Sequence, residues 1–164
     1  MHAGAVDTPI GRIGIIAESG AGKSTLSRHV DKHWSQVSDD IMPVSLNEAG
    51  KRINVLPDFP QLKLANNLVL DSPKKDQPLN YLLRVRPEPS EDIDYKVLPR
   101  TQAMLQVVRH TVAAKLFDSS MLRQHAHFAK RVSSFVPMIE ISYPRDIDQL
   151  DHLRSSIVDY LGSL

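Results

Sequence analysis

An α/β fold is predicted by three observations. Strand-like and helix-like segments alternate along the chain, a short β-branched apolar run leads into a glycine-rich loop, and a helix-period stretch leaves that loop. The run Gly11–Ala17 (GRIGIIA) reads as a buried strand, because its apolar residues are continuous rather than alternating. Helical spacing then occupies 23–34. Residues 37–40 and 43–46 read as short strands, and Asn47-Glu48-Ala49-Gly50 is a turn signal that makes 52–56 the returning strand of a hairpin. Prolines crowd the stretch from Pro57 to Pro99, which reads as a loop-rich middle admitting only short strands at 81–85 and 95–98. Residues 100–116 and 119–135 have helical spacing, with Ser119 and Ser120 as N-cap candidates. Residues 137–143 (PMIEISY) alternate as a strand does, and 146–161 reads as a closing amphipathic helix that ends near Gly162. No repeat, low-complexity tract or linker interrupts the pattern, so one domain over 1–164 is expected.

Composition narrows the function classes. Lys plus Arg is 20 and Asp plus Glu is 19, a net charge of +1 that argues against a strongly basic nucleic-acid binder. Charged residues at 24% and hydrophobic residues at 41% describe a globular chain rather than a disordered one. The absence of cysteine excludes disulfide scaffolds, zinc ribbons and thiol nucleophiles. No apolar run approaches the roughly 20 residues that cross a bilayer, and 1–4 has no signal-peptide character. The expectation is a cytoplasmic protein with neither nucleic acid nor membrane as partner.

The strongest chemical signal is Ala17-Glu18-Ser19-Gly20-Ala21-Gly22-Lys23-Ser24-Thr25, a Walker A pattern in which Ala17 replaces the first glycine. Its glycines let successive backbone N–H groups turn toward phosphate oxygens, and the helix that follows adds the positive end of its dipole. Ser19, Gly20, Ala21, Gly22, Lys23, Ser24 and Thr25 are thus the nucleotide-binding candidates, with Lys23 on the β- and γ-phosphates and the Ser24 hydroxyl on Mg²⁺. Ser38-Asp39-Asp40 closes the next predicted strand, at the carboxyl edge where open α/β sheets bind ligands. One carboxylate can hold the metal while the other accepts a proton from an incoming hydroxyl; a solvated Asp-Asp turn or a helix cap is the alternative.

These pieces together resemble the HPr kinase family, whose core is related to phosphoenolpyruvate carboxykinase. They are His2-Ala3-Gly4-Ala5-Val6-Asp7, the strand Gly11–Ala17, the loop ESGAGKST and Ser38-Asp39-Asp40. His2 stands fifteen residues before Ala17, the spacing the resemblance calls for. The later stretches Pro57-Asp58-Phe59-Pro60-Gln61-Leu62-Lys63-Leu64, Val108-Arg109-His110-Thr111-Val112-Ala113-Ala114 and Tyr143-Pro144-Arg145-Asp146 look more like short stand-alone members, some of which accompany lasso-peptide tailoring. The resemblance implies an α/β P-loop core, a mixed β-sheet flanked by helices, that forms a single catalytic domain. It implies an ATP- and Mg²⁺-dependent serine kinase acting on a peptide or small protein. Asp39 would be the base, His2 its electrostatic partner, Lys23 the phosphate ligand, and Ser24 with Asp40 the metal ligands. Longer relatives commonly form homo-oligomeric rings and carry a separate N-terminal domain for which this chain has no room. The glutamate-and-glycine segment that contributes to metal binding in the family is not identifiable after the Asp pair. That departure counts against the reverse, phosphorylase activity and against HPr itself as substrate. A small-molecule alcohol kinase and a non-catalytic nucleotide-binding module are the competing readings.

Other signals read as ordinary surface or core. His29 and His33 share a helix face but lack a third ligand, and His125 and His127 point apart. Arg109-His110 reads equally well as structural or as a contact to a phosphate or acidic substrate. Lys74-Lys75 is either a solvated turn or a flap over the phosphates.

Overall fold

The computed structural model describes residues 1–18, 26, 34–49, 51–56, 77–89, 92–144 and 150–164. The predicted α/β class holds: among the described residues one mixed, eight-stranded sheet is flanked by helices. Its strands are β1 (Gly4–Thr8), β2 (Gly11–Ala17), β3 (Ser35–Ser38), β4 (Val44–Asn47), β5 (Arg52–Val55), β6 (Gln77–Glu88), β7 (Asp94–Val97) and β8 (Met138–Pro144). The helices are α1 (Arg100–Arg109), α2 (Ser119–Phe135) and α3 (Leu150–Gly162), with a 3-10 turn at Ala114–Leu116 between the first two.

Neighbours run β3-β1-β2-β6-β5-β4, and β8 joins β6 while β7 joins β8. β1 and β2 form an antiparallel pair, whereas β2, β6 and β8 are parallel. The sheet branches at β6. Its first residues, Gln77 and Pro78, pair with β5, and Leu82 through Glu88 pair with β8.

Both faces of the sheet are covered, which is why β2 reads as a continuous apolar run. Ile13, Ile15 and Ala17 join Leu83, Val85, Ile139 and Ile141 in a core under α3, with Leu26 and Trp34. Ile16, Leu82 and Met138 point the other way, onto Ala103 and Val107 of α1 and Ala129 and Val132 of α2. The result is three layers, helix on sheet on helix.

Differences from expectation have local causes. β6 is 12 residues long where only 81–85 was expected. Its prolines, Pro78 and Pro87, fall near the two ends, where a missing N–H is tolerated, so they do not interrupt the ladder to β2. The helix expected over 100–116 stops at Arg109. There the Thr111 hydroxyl donates to the Val107 carbonyl at 2.8 Å, and Ala113 turns left-handed at φ 59°, so helical bonding cannot continue. The cap of α2 is Asp118 rather than a serine, its carboxylate accepting the Met121 N–H at 2.8 Å.

A bulge sets the start of β2. Arg12 pairs with Leu79 and Ile13 with Tyr81, so Asn80 is the extra residue on β6. The Asn80 side-chain oxygen accepts the Arg12 N–H at 2.9 Å, beside Gly11 at φ +115°. A Cβ on Gly11 would fall 2.4 Å from that oxygen. Gly11→Ala is therefore expected to lower stability by about 1–3 kcal/mol, read as a fall in the urea midpoint; an unchanged midpoint would refute the constraint.

Candidate active site

Strand directions bring the predicted residues to one edge. β1 runs antiparallel to β2 with Gly4 opposite Ile15, which carries His2 toward the end of β2. β3 is antiparallel to β1 with Ser38 opposite Ala5, so β3 and β2 point the same way and Asp39-Asp40 arrives at the carboxyl edge. The segment 1–3 is tied there. The Ala3 N–H donates to the Asp40 carbonyl at 3.1 Å, and the Met42 N–H to the Met1 carbonyl at 2.9 Å. His2 bridges Ile41, and its N–H donates to the His110 carbonyl at 2.6 Å. The Met1 ammonium donates to the Met42 carbonyl at 2.8 Å, and burial lowers its pKa to about 6.

His2 thus stands at the carboxylate pair, with its Nδ1 3.7 Å from Asp40 Oδ1. Asp40 is the more open of the two carboxylates. Asp39 is 1% exposed, whereas the Asp40 side chain keeps 34% of its surface in solvent. Ser19, Gly20, Ala21, Gly22, Lys23, Ser24 and Thr25 lie outside the described residues. The strand that enters their loop is β2 as expected, and Leu26, just beyond them, is helical and buried under the α3 face. His29, His33, Lys74, Lys75 and 57–64 also lie outside the described residues.

Several residues that received no role from the sequence meet at the same edge. Glu18 follows β2 directly; its carboxylate lies 3.1 Å from the Arg109 guanidinium and 3.7 Å from that of Arg84. Arg84 also pairs with Glu140, its register partner across β6 and β8, and Arg86 reaches Glu140 at 3.2 Å. These contacts join strands distant in sequence, so no spacing pattern announces them. Arg109, left between two readings, has an ion-pair role here. His110 is buried, and its Nε2 has no hydrogen-bond partner among the described residues. Glu48, in the β4–β5 turn, pairs with Arg131 of α2, whose guanidinium lowers its pKa through a side-chain hydrogen bond. No group of three His, Asp or Glu able to hold a metal occurs among the described residues.

Burial lowers the His110 pKa below 6.5, and the nearby His2, Arg109 and Arg84 add to the shift, against Glu18. The unfolded chain therefore binds the proton more readily than the folded one. The stabilisation is complete above pH 6.5 and is lost as pH falls through the folded pKa. Urea midpoints are expected to decline below pH 6.5 in the wild type and to decline less steeply in His110→Asn; equal slopes would remove His110 from the account.

No family model matches the chain, and no curated protein matches it. One solved structure that aligns with it is the HPr(Ser) kinase/phosphatase from Coxiella burnetii, at 11% identity and a TM-score of 0.48. The alignment covers 98% of this chain and 97% of that one. At that score and identity the likeness gives no residue of this chain a role. Among the described residues no helix is long and apolar enough to cross a membrane.

Proposed function

We propose that this protein is an ATP-dependent kinase that phosphorylates a seryl hydroxyl on a peptide or small protein. One observation carries the reading: a strand that enters a Walker A sequence ends at the same sheet edge as an Asp-Asp pair on a parallel-running strand. That edge supplies what phosphoryl transfer asks of a protein, which is positioning and charge neutralisation with little covalent chemistry.

Lys23 and the amides of 19–25 would bind and orient the phosphates. The donor set fits Mg²⁺: Asp40 and the Ser24 hydroxyl are hard oxygens, and a Mg²⁺ that arrives with ATP needs only one or two of them from the protein. Bound there, the metal supplies neutralisation of the charge on the β- and γ-phosphates. Asp39 would accept the seryl proton as the seryl oxygen bonds to the γ-phosphorus and the bond from that phosphorus to the β,γ-bridging oxygen breaks, with ADP as the leaving group. His2 would orient the pair through its contact with Asp40.

Incubation with γ-labelled ATP, Mg²⁺ and a panel of seryl peptides and small alcohols tests the proposal. Label on a seryl oxygen of a peptide is expected. Label on a small alcohol would move the acceptor class, and none on any acceptor would leave a nucleotide-binding module.

A further inference from the structure

We propose that Arg109 and Arg84 form an anion subsite at the carboxyl end of β2. It would receive a carboxylate side chain that flanks the seryl hydroxyl of the acceptor, and Glu18 is the resident carboxylate that this group displaces. The acceptor's nature rests on the kinase reading above; the subsite itself rests on the following geometry.

The two guanidiniums converge from different elements, Arg84 from β6 and Arg109 from the last turn of α1. They meet at Glu18, 3.7 and 3.1 Å away. Arg84 is anchored, because its side chain and that of its partner Glu140 are only 17% and 13% exposed. Glu18 and Arg109 are open, at 55% and 60%. Water screens an ion pair so exposed, and holding two long side chains together opposes it, so the contact adds little to folding. A guanidinium fork suits a carboxylate in two-point geometry, and exchanging one water-exposed carboxylate for another changes the free energy little. The arrangement therefore serves recognition better than it serves stability.

Lys23 and the loop amides are assigned to the phosphates, whereas His110 holds the His2 N–H at 2.6 Å and His2 stands at Asp40. The subsite thus flanks the carboxylate pair that faces the acceptor hydroxyl. The resident group is itself a carboxylate, which sets the class of the group that replaces it.

The test is binding without turnover. A degenerate library of peptides centred on serine is passed over the immobilised full chain in the absence of ATP, and the retained pool is sequenced. Aspartate or glutamate is expected to be enriched about three- to tenfold at one or two positions beside the serine. Arg109→Gln should flatten that profile and Glu18→Gln should sharpen it, because the competitor is gone. A flat wild-type profile, an acidic preference that survives Arg109→Gln, or a loss of ATP affinity of about tenfold or more in Arg109→Gln would overturn the subsite. The last result would assign the guanidinium to the nucleotide. Since no phosphoryl transfer is read, a chain that binds acidic seryl peptides yet never labels them would defeat the kinase reading and keep the subsite.

Discussion

Asp39→Asn is expected to reduce phosphoryl transfer from ATP by about a thousandfold or more while ATP binding stays within a few fold, because a positioned general base contributes 10²–10⁴ and the nucleotide is held elsewhere. The substitution preserves shape, removes proton-accepting capacity and introduces an amide donor where the buried carboxylate stood. Asp39 is 1% exposed, so bulk water cannot stand in for it as base. Stopped assays with γ-labelled ATP give the transfer rate, and fluorescence titration of a nucleotide analogue gives the affinity. Asp40→Asn is the companion measurement. Asp40 is the carboxylate that meets His2 at 3.7 Å, and its loss is expected to raise the Mg²⁺ concentration needed for half-maximal rate. Transfer that survives Asp39→Asn but disappears with Asp40→Asn would hand the base role to Asp40.

The second large effect is on stability. Leu83→Ala is expected to destabilise the protein by about 2–5 kcal/mol, the range for truncating a fully buried leucine where the surroundings collapse only partly. Leu83 is 0% exposed and sits opposite Ile15 of β2 and Ile139 of β8, at the middle of the three parallel strands. Its core also holds Leu153 and Ile157 of α3, so a cavity there loosens both layers. Set against a total stability of roughly 5–15 kcal/mol for a domain, that loss is a large fraction. Leu105→Ala supplies the contrast, since Leu105 lies on α1 with 60% of its surface exposed and should change stability by less than about 0.5 kcal/mol. Urea unfolding of both variants decides the matter. Similar shifts in the two would mean that burial in this sheet is not what holds the fold.

Much of the layout was legible because local chemistry and tertiary structure agree. Gly11–Ala17 is a strand in the sequence and in the structure, and the hairpin of β4 and β5 turns at the predicted residues. The span of α2 matches the helical spacing of 119–135. Prediction failed where long-range pairing overrode a local signal. Pro78 and Pro87 argue locally against a long strand, yet β6 runs through both because its central residues are paired on either side. At 110–116 the apolar spacing of a helix persists, but the Thr111 hydroxyl and the left-handed Ala113 end it.

The candidate site divides along the same line. His2 enters through the resemblance and Asp39 and Asp40 through their place at a strand end, and β1 between β2 and β3 brings the three to one edge. Arg109 stood between two readings, and nothing in the sequence pointed to the ion pairs of Glu18, Arg84 and Glu140. Arg84 and Glu140 are 56 residues apart and meet only because β6 and β8 are parallel and in register.

By itself, then, the sequence determined the α/β class and the strand that leads into the Walker A sequence, since each depends on residues within one turn or one strand. Only the tertiary structure decided how far β6 extends, and that three arginines and two glutamates gather at one sheet edge. The physical reason is range. Backbone preference and hydrophobic period act over a few residues, whereas ion pairing and strand register act through space between segments that the chain itself keeps far apart.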